Sequence, residues 1–348
     1  LASDGHEVTY LTLRQWPTGE RGEVPGVRVV TAGPRMALYN GTGQRRILPP
    51  LVFGAGVLVH LLRHGRDYDV VHTSSFPYFS LLAAGLVRRV HGFRLVVDWF
   101  ELWSDAYWRE YLGPAGRVGA FVQRLCLRVR QHAFTFARLT ADRLRRAGLN
   151  GDVQVLRGLY TGPESRPAPV PAEPLVVFAG RHIPEKRAPA VVDAVARTDL
   201  RARILGDGPE YEAVKAAIAR LGVQDRVEAP GFVPTEQVER DLGRALCLVL
   251  PSRREGYGLV VVEAASMGTP SVLVRDEDNA ATELIEEGVN GFVAESAAPE
   301  DLAAAIEKVR AAGPALRAST AEWFARNAHA LSLDGSLDAV AAGYSVRS

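Results

Sequence analysis

Four charged side chains in the second half of this 348-residue chain stand where strand ends would present them to a ligand. In VVFAGRHIPEKRAPAVVDAV an apolar strand ends at Ala179, Gly180 permits a sharp exit, and Arg181 and Lys186 lie in the loop before a helix. Ligands of doubly wound sheets bind at the carboxyl ends of strands. A planar guanidinium fork and a mobile ammonium placed there suit a diphosphate, although the same charges also suit a solvated loop. The segment LVLPSRREGYGLVVVEAASMGTPSV demands more. A buried strand ends near Pro251, Glu255-Gly256-Tyr257-Gly258 reads as a flexible loop, and a helix is predicted from about Gly258 to Met267. Its first amides, at Gly258, Leu259 and Val260, lack intrahelical acceptors and form an anion cradle. Glu263 falls within that helix on an otherwise apolar face. A carboxylate there calls for donors, either sugar hydroxyls or an arginine. Glu255, ahead of the cradle, reaches a group beyond the phosphates or stands as an exposed loop acid. Ile204-Leu205-Gly206-Asp207-Gly208-Pro209 is a further strand exit whose glycines allow close backbone approach, a weak signal when taken alone.

Glu255 and Glu263, with seven residues between them, resemble the hallmark of family 4 retaining glycosyltransferases. PSRREGYGLVVVEAASMGTPSV is similar to that family's E-G-F/Y-G-L-x-x-x-E-A-x-x-x-G-x-P-V block, and the likeness continues through FAGRHIPEK, ILGDGPE, APGFVP and EEGVNGFV. It covers essentially the whole second half; the first half matches more loosely, through GHEVTYLT and DVVHTSSFPY. The resemblance implies a GT-B fold, two doubly wound Rossmann-like domains facing a cleft, and a nucleoside-diphosphate sugar as donor. It assigns Arg181 and Lys186 to the leaving diphosphate, Glu255 to the donor sugar and Glu263 to the ribose. Phe232 and Val233 would line the base pocket. Gly258, Leu259 and Val260 would offer amides, beside Gly180, Gly206 and Tyr257. No metal or other cofactor is expected, the cationic pair doing that work.

The chain departs from the family on the acceptor side. Many relatives read W-H-E-x-W where this sequence has Trp99-Phe100-Glu101-Leu102-Trp103, and phenylalanine can neither donate a hydrogen bond nor carry a proton. Either Asp98 or Glu101 substitutes or activity is impaired; His72 is the best acceptor-side histidine or a structural one, and Trp103 falls in an aromatic cluster with Tyr107, Trp108 and Tyr111 that suits sugar stacking, an apolar lipid acceptor or ordinary packing. Arg157-Gly158-Leu159-Tyr160 replaces the family's Asn-Gly-Val-Asp.

Short apolar runs alternate with longer helical patterns throughout, as in repeated βαβ units. In the first half the predicted strands are Glu7–Leu13, Val27–Thr31, Val70–Ser74, Arg94–Trp99, Thr135–Thr140 and Val153–Leu156, with helical periodicity over Arg117–Gly148. TGPESRPAPVPAEP, residues 161–174, holds five prolines and reads as a stiff linker. The expected division is an acceptor domain over 1–160, that linker, a donor domain over 175–315, and closing helices over 316–348 that return to the first domain. LASDGHEVTYLTL reads as a helix end running into a strand, so an initial strand and the front of a helix are expected ahead of Leu1.

Charge divides the same way. Residues 1–160 carry 21 arginines, no lysine and 12 acids, while the rest has an excess of acids. A basic first domain suits an anionic membrane surface or a phosphorylated acceptor, or it reflects an arginine-rich composition on solvated helix faces. Cys126 and Cys247 stand far apart and write no disulfide framework, which suits a reducing cytoplasm. The apolar run Ile47–Leu62 is too short and too broken by proline to span a bilayer. The expectation is a cytoplasmic enzyme, peripheral at the inner membrane face, that moves a sugar to a lipid-linked or anionic acceptor and binds no nucleic acid. A catalytically silent donor-binding protein on the same fold is the alternative. An epimerase lacks its cluster of acids and histidines, and a dehydrogenase its complete G-x-G-x-x-G.

Overall fold

The chain divides into two compact units, Leu1–Leu156 with Asp338–Ser348, and Arg157–Leu337. The structure is a computed structural model that describes residues 1–345 apart from 4, 18, 21, 39–45 and 165–168. Part of the proline-rich stretch 161–174 and the last three residues of the expected closing helices therefore lie outside the described residues.

In the first unit, β1 (Val8–Thr12) pairs in parallel with β2 (Val27–Thr31). α1 (Leu48–His64) opens with Pro49 and Pro50, whose fixed φ suits a first helical turn. β3 (Val70–Ser74) leads into α2 (Phe79–His91), which stops at Gly92 in the left-handed conformation. Then follow β4 (Arg94–Asp98), α3 (Asp105–Leu112), α4 (Gly116–Arg128), β5 (Gln131–Thr135), α5 (Arg138–Arg146) and β6 (Gly151–Val155). Ser104 caps α3 by accepting from the Tyr107 amide at 3.1 Å. β3, β4, β5 and β6 form a parallel sheet in that order, and among the described residues no ladder joins it to β1 and β2.

One expectation is corrected here. The helical pattern read over Arg117–Gly148 is two helices, with β5 between them at Gln131–Thr135 rather than at Thr135–Thr140. The strand QHAFT is buried at four of its five positions between β4 and β6. A five-residue strand flanked by amphipathic helices is averaged away in any window long enough to detect a helix.

The second unit contains β7 (Leu175–Ala179), α6 (Ala188–Val195), β8 (Arg201–Leu205), α7 (Tyr211–Leu221), β9 (Val227–Gly231), α8 (Thr235–Arg244), β10 (Cys247–Leu250), β11 (Arg254–Glu255), α9 (Leu259–Ser266), β12 (Ser271–Val274), β13 (Asp278–Asn279), β14 (Gly291–Ala294), α10 (Pro299–Leu331) and α11 (Leu333–Ser345), whose end counts with the first unit. Six strands form one parallel sheet in the order β14-β12-β10-β7-β8-β9. Every residue of β7, β10 and β12 is buried, because helices cover both faces of a central parallel strand.

α10 breaks at Gly313, where φ is 61° and ψ −148°, before Pro314. Just beyond the break, the buried Arg317 guanidinium donates to the carbonyls of Gly243, Ala245 (2.8 Å) and Met267 (3.5 Å) and to Thr269 Oγ1 (3.2 Å). Those carbonyls lie at the ends of α8 and α9, where a helix leaves acceptors unsatisfied. Arg317→Met keeps much of the volume and removes the donors. It is expected to lower stability by about 3 kcal/mol, read from the urea midpoint. An unchanged midpoint would show that water serves those carbonyls equally well.

Candidate active site

The second unit's strand order reverses between β7 and β10: from β7 the chain proceeds outward through β8 and β9, then returns to build β10, β12 and β14 on the other side. At such a reversal the loops leaving the two central strands diverge and open a crevice at the carboxyl edge. The loop after β7 carries Arg181 and Lys186, and the loop after β10 carries Glu255. Lys186 and Glu255 come from positions 69 residues apart and meet there. The Lys186 ammonium pairs with a Glu255 carboxylate oxygen, both side chains being less than one-fifth exposed. The Arg253 amide donates to the Glu185 carbonyl at 2.8 Å, joining the two loops through their backbones. Arg187, at a left-handed φ of 51°, adds an ion pair with Asp276 at 3.2 Å. The Arg181 guanidinium stands exposed at the end of β7 and makes no ion pair among the described residues.

The segment around Glu255, read from sequence as a flexible loop, is a short strand. β11 pairs with β13 so that Glu255 sits opposite Asn279. Asn279 is itself fixed, its amide nitrogen donating to the Val274 carbonyl at 2.9 Å and its side-chain oxygen accepting from the Ala281 amide at 3.2 Å. Glu255 is thus held on a framework, which a positioned acid requires. Gly258 follows at φ 92° and opens α9 with no side-chain cap, so the first amides have neither an intrahelical acceptor nor a capping side chain. A Cβ on Gly258 would lie 2.6 Å from that of Ala281, so the helix start is packed too closely for any other residue. Glu263 sits in the second turn of α9, half-buried.

Glycines close the neighbouring strand ends. Gly206, at φ 122°, donates to the Gly231 carbonyl at 2.9 Å, and its own Cα faces the Gly180 carbonyl oxygen. Phe232, next along, is 84% exposed and offers a ring face, whereas Val233 packs against the core. Tyr257 is engaged within the unit. Its hydroxyl donates to the Arg157 carbonyl at 2.6 Å and burial raises its pKa, so this ring braces the loop.

Sequence reading passed over His182, since a loop histidine announces no burial. It is fully buried between the rings of Phe178 and Tyr211, and burial lowers its pKa from 6.5. His132 and His60 are lowered for the same reason. In the unfolded chain all three take up protons near 6.5. The stability that their neutral forms contribute is therefore complete above that value and is lost as pH falls through the lower folded-state values. Urea midpoints are expected to fall between pH 7.5 and 5, with a shallower fall in His182→Phe. Equal slopes in the two proteins would remove His182 from the account.

In the first unit the acceptor-side residues form two separate groups. His72 meets Asp98 through Nε2 (2.9 Å) and the Tyr344 hydroxyl through Nδ1 (2.6 Å), so both ring nitrogens are engaged. Burial and the Asp98 charge push the Tyr344 phenol up to about 12. Glu101 accepts the Trp103 indole proton at 3.0 Å, and Trp103 packs with Tyr107, Trp108 and Tyr111. Gln123, not anticipated, organises this cluster. Its side-chain oxygen accepts from the Tyr78 hydroxyl, the Trp103 amide and the Trp108 indole, and its nitrogen donates to the Trp103 carbonyl. Phe100 stacks on Phe136 at 5.4 Å and remains 47% exposed.

Comparison with known proteins follows this division. The family described as "Glycosyl transferase 4-like domain" matches residues 1–158, and "Glycosyl transferases group 1" matches residues 164–323. The chain is 30% identical over 258 residues to the alpha-D-kanosaminyltransferase of Streptomyces kanamyceticus, covering 67% of this chain and 64% of that protein. It is 29% identical over 276 residues to the 2-deoxystreptamine N-acetyl-D-glucosaminyltransferase of Streptomyces fradiae, covering 72% and 66%. It thus spans slightly less than two thirds of these relatives. Among solved structures it resembles sucrose-phosphate synthase from Thermosynechococcus elongatus, with a TM-score of 0.78, 17% identity and coverage of 99% of this chain and 89% of that one. It also resembles Anabaena Alr3699/HepE in complex with UDP-glucose, with a TM-score of 0.66, 18% identity and coverage of 97% and 99%. At such identities these two likenesses are of fold.

Proposed function

We propose that this chain, whose two halves match glycosyltransferase models and whose fold is that of the GT-B enzymes, moves a sugar from a nucleoside-diphosphate sugar to an acceptor hydroxyl with retention at the anomeric carbon. One observation carries the reading. At the topological reversal of the second unit's sheet, the loop after β7, which bears Arg181 and Lys186, is tied to β11 by the Lys186–Glu255 pair, and α9 opens just beyond Glu255 with no side-chain cap. In the reaction the bond from the anomeric carbon to the β-phosphate oxygen breaks, the acceptor oxygen bonds to that carbon, and the acceptor's proton passes to the departing diphosphate. Charge builds on the diphosphate, and fixed positive groups aimed at it are the largest catalytic term available. Arg181 and Lys186 supply that charge, so transfer proceeds without a divalent metal. Glu255 faces the sugar hydroxyls, Glu263 the ribose and Phe232 the base.

The test is thermal stabilisation across UDP-, GDP-, ADP- and dTDP-sugars. One class is expected to raise Tm by several degrees, roughly as mass action dictates at 100 times Kd. No shift with any of the four would sink the donor assignment. Turnover unaffected by EDTA is expected from the cationic pair. Two relatives carry 2-deoxystreptamine or an amino sugar in their names, so aminocyclitols join lipid-linked and phosphorylated compounds in the acceptor panel.

A catalytically silent donor-binding protein is the second reading, and Phe100 carries it, since an apolar ring there moves no proton. Donor binding without transfer or hydrolysis across the panel would establish it.

The arginine-rich first unit also supports contact with an anionic membrane surface. α1 exposes Leu48, Leu51, Val59 and Leu62, followed by Arg63 and Arg66. An apolar stripe with a basic border suits adsorption at an interface, and among the described residues no helix is long and apolar enough to cross a membrane. Flotation with vesicles containing phosphatidylserine, and none with neutral vesicles, is the expected result.

A further inference from the structure

Positive charge is concentrated at one edge of the first unit. No acid occurs between Asp69 and Asp98 or between Glu110 and Asp142. The first of these stretches carries Arg88, Arg89 and Arg94, and the second Arg128 and Arg130. The fold brings the five together where β4 and β5 start. Val129 packs on Gly85 of α2, where an added Cβ would stand 2.5 Å from a Val129 methyl, so Arg128 and Arg130 lie beside the last turn of that helix. Arg88, in that turn, bridges the two strand entries. Its Nε donates to the Phe93 carbonyl at 3.0 Å and its Nη1 to the Arg130 carbonyl at 3.4 Å. Arg94 follows Phe93 directly, and its amide donates to the Asp69 carbonyl at 2.8 Å.

This charge is not neutralised from within. Among the described residues, the side chains of Arg89, Arg94, Arg128 and Arg130 make no hydrogen bond or ion pair. The carboxylates of Asp69 and of Asp152, opposite His132 in the sheet, form no ion pair either. Arg94 Nε and Nη1 are shut off from solvent without an acceptor, so this guanidinium reaches solvent through Nη2 alone. Buried donors are ordinarily satisfied, and a half-buried cation without a counter-charge is costly. Burial, followed by the charges of Arg130 and Arg94, holds the Arg88 guanidinium below its ordinary value. Cations in the last turn of a helix offset its dipole, which accounts for Arg88, Arg89 and Arg128. Arg94 opens a strand and has no such role. Several guanidinium forks with no acid among them suit a group with several charged oxygens, whereas a carboxylate would occupy one fork. We propose that this edge binds a phosphate group, free or on a lipid headgroup, through Arg94, Arg128 and Arg130 around the fixed Arg88. Leu86 and Val90 of α2 are exposed beside it, as an apolar border to a headgroup would be. The site stands apart from the crevice of the second unit and does not rest on the donor reading.

The experiment follows amide exchange at residues 86–95 and 127–132 in the full chain. The probes are pyrophosphate, sodium chloride at the same ionic strength, and vesicles of phosphatidic acid or of phosphatidylcholine. Pyrophosphate and phosphatidic acid are expected to slow exchange at these residues, and chloride and phosphatidylcholine to leave it unchanged. The double variant Arg128→Ser/Arg130→Ser changes two exposed side chains, so it is expected to keep its Tm while its Kd for pyrophosphate at this edge rises about ten-fold or more. Pyrophosphate also reports on the crevice through residues 181–187, which the double variant is expected to leave as protected as in the parent. A failure of the donor assignment and a failure of this site are therefore read from different residues. Protection by phosphatidic acid that excess pyrophosphate does not displace would assign the phosphate to a lipid headgroup, and displacement would assign it to a soluble compound. Equal protection by chloride and pyrophosphate would overturn the proposal, since screening alone would explain it. So would full protection retained in the double variant, or none with either phosphate probe.

Discussion

Lys186→Ala is expected to slow donor turnover by about 100- to 1,000-fold while leaving the circular dichroism spectrum unchanged. The ammonium is the flexible half of the cationic pair. It reaches the crevice from the loop after β7 and is held against Glu255 of β11. On the proposed function, its removal would leave the diphosphate's developing charge to Arg181 and the α9 amides. The pair is less than one-fifth exposed, so leaving the Glu255 carboxylate without its partner is expected to lower stability by about 3 kcal/mol, and the circular dichroism checks that the variant still folds. Lys186→Arg keeps the charge but replaces a compact donor with a rigid fork, so partial recovery is expected. Glu255→Gln is expected to reduce turnover with little change in donor affinity if the carboxylate serves the reacting sugar. The measurement is kcat and KM for donor hydrolysis or transfer. Unchanged values in both Lys186→Ala and Glu255→Gln would sink the site assignment.

Gly206→Val is expected to abolish donor stabilisation and to lower the second unit's stability by about 3 kcal/mol. Two independent effects act at this position. Its φ of 122° lies where a β-branched residue is a genuine outlier. A Cβ would also stand 2.0 Å from the Gly180 carbonyl oxygen. That oxygen belongs to the backbone leaving β7, so it cannot swing aside like a side-chain tip, and relief would displace the loop that bears Arg181 and Lys186. Alanine in the same place meets both effects with a smaller side chain. A urea midpoint near that of the parent protein, with the donor shift retained, would show that the strand ends move freely and that the site is less rigid than its hydrogen bonds imply.

The two stability predictions, at Arg317 and Gly206, concern different links between sequence and function. Arg317 gathers the ends of two helices from one side of the fold. Gly206 acts at the crevice itself, where backbone from two strands crowds together. A loss of donor binding in Arg317→Met beyond its loss of stability would connect the helix ends to the site.

Much of this was legible in the sequence because it is local. Continuous apolar runs such as LVVFA and CLVL mark strands covered on both faces, and their regular alternation with helices specifies a doubly wound architecture. The loop–helix segment from Glu255 to Glu263 could be placed at a strand end from spacing alone, since Gly258 and the apolar helix behind it set the turn. Failures were local as well. The strand at Gln131–Thr135 vanished between two helices, and the Glu255 loop was read as flexible because its partner, β13, is two residues long and 24 positions away.

What only the tertiary structure decided is who meets whom. Arg181, Lys186 and Glu255 were three separate charges in the sequence; the strand order, which places β10 beside β7, makes Lys186 and Glu255 an ion pair. It likewise engages both nitrogens of His72 through Asp98 and Tyr344, buries His182, and commits Tyr257 to a backbone carbonyl. The reason is physical. Periodicity and turn chemistry act over a few residues, whereas strand order is fixed by how whole elements bury their apolar faces against one another.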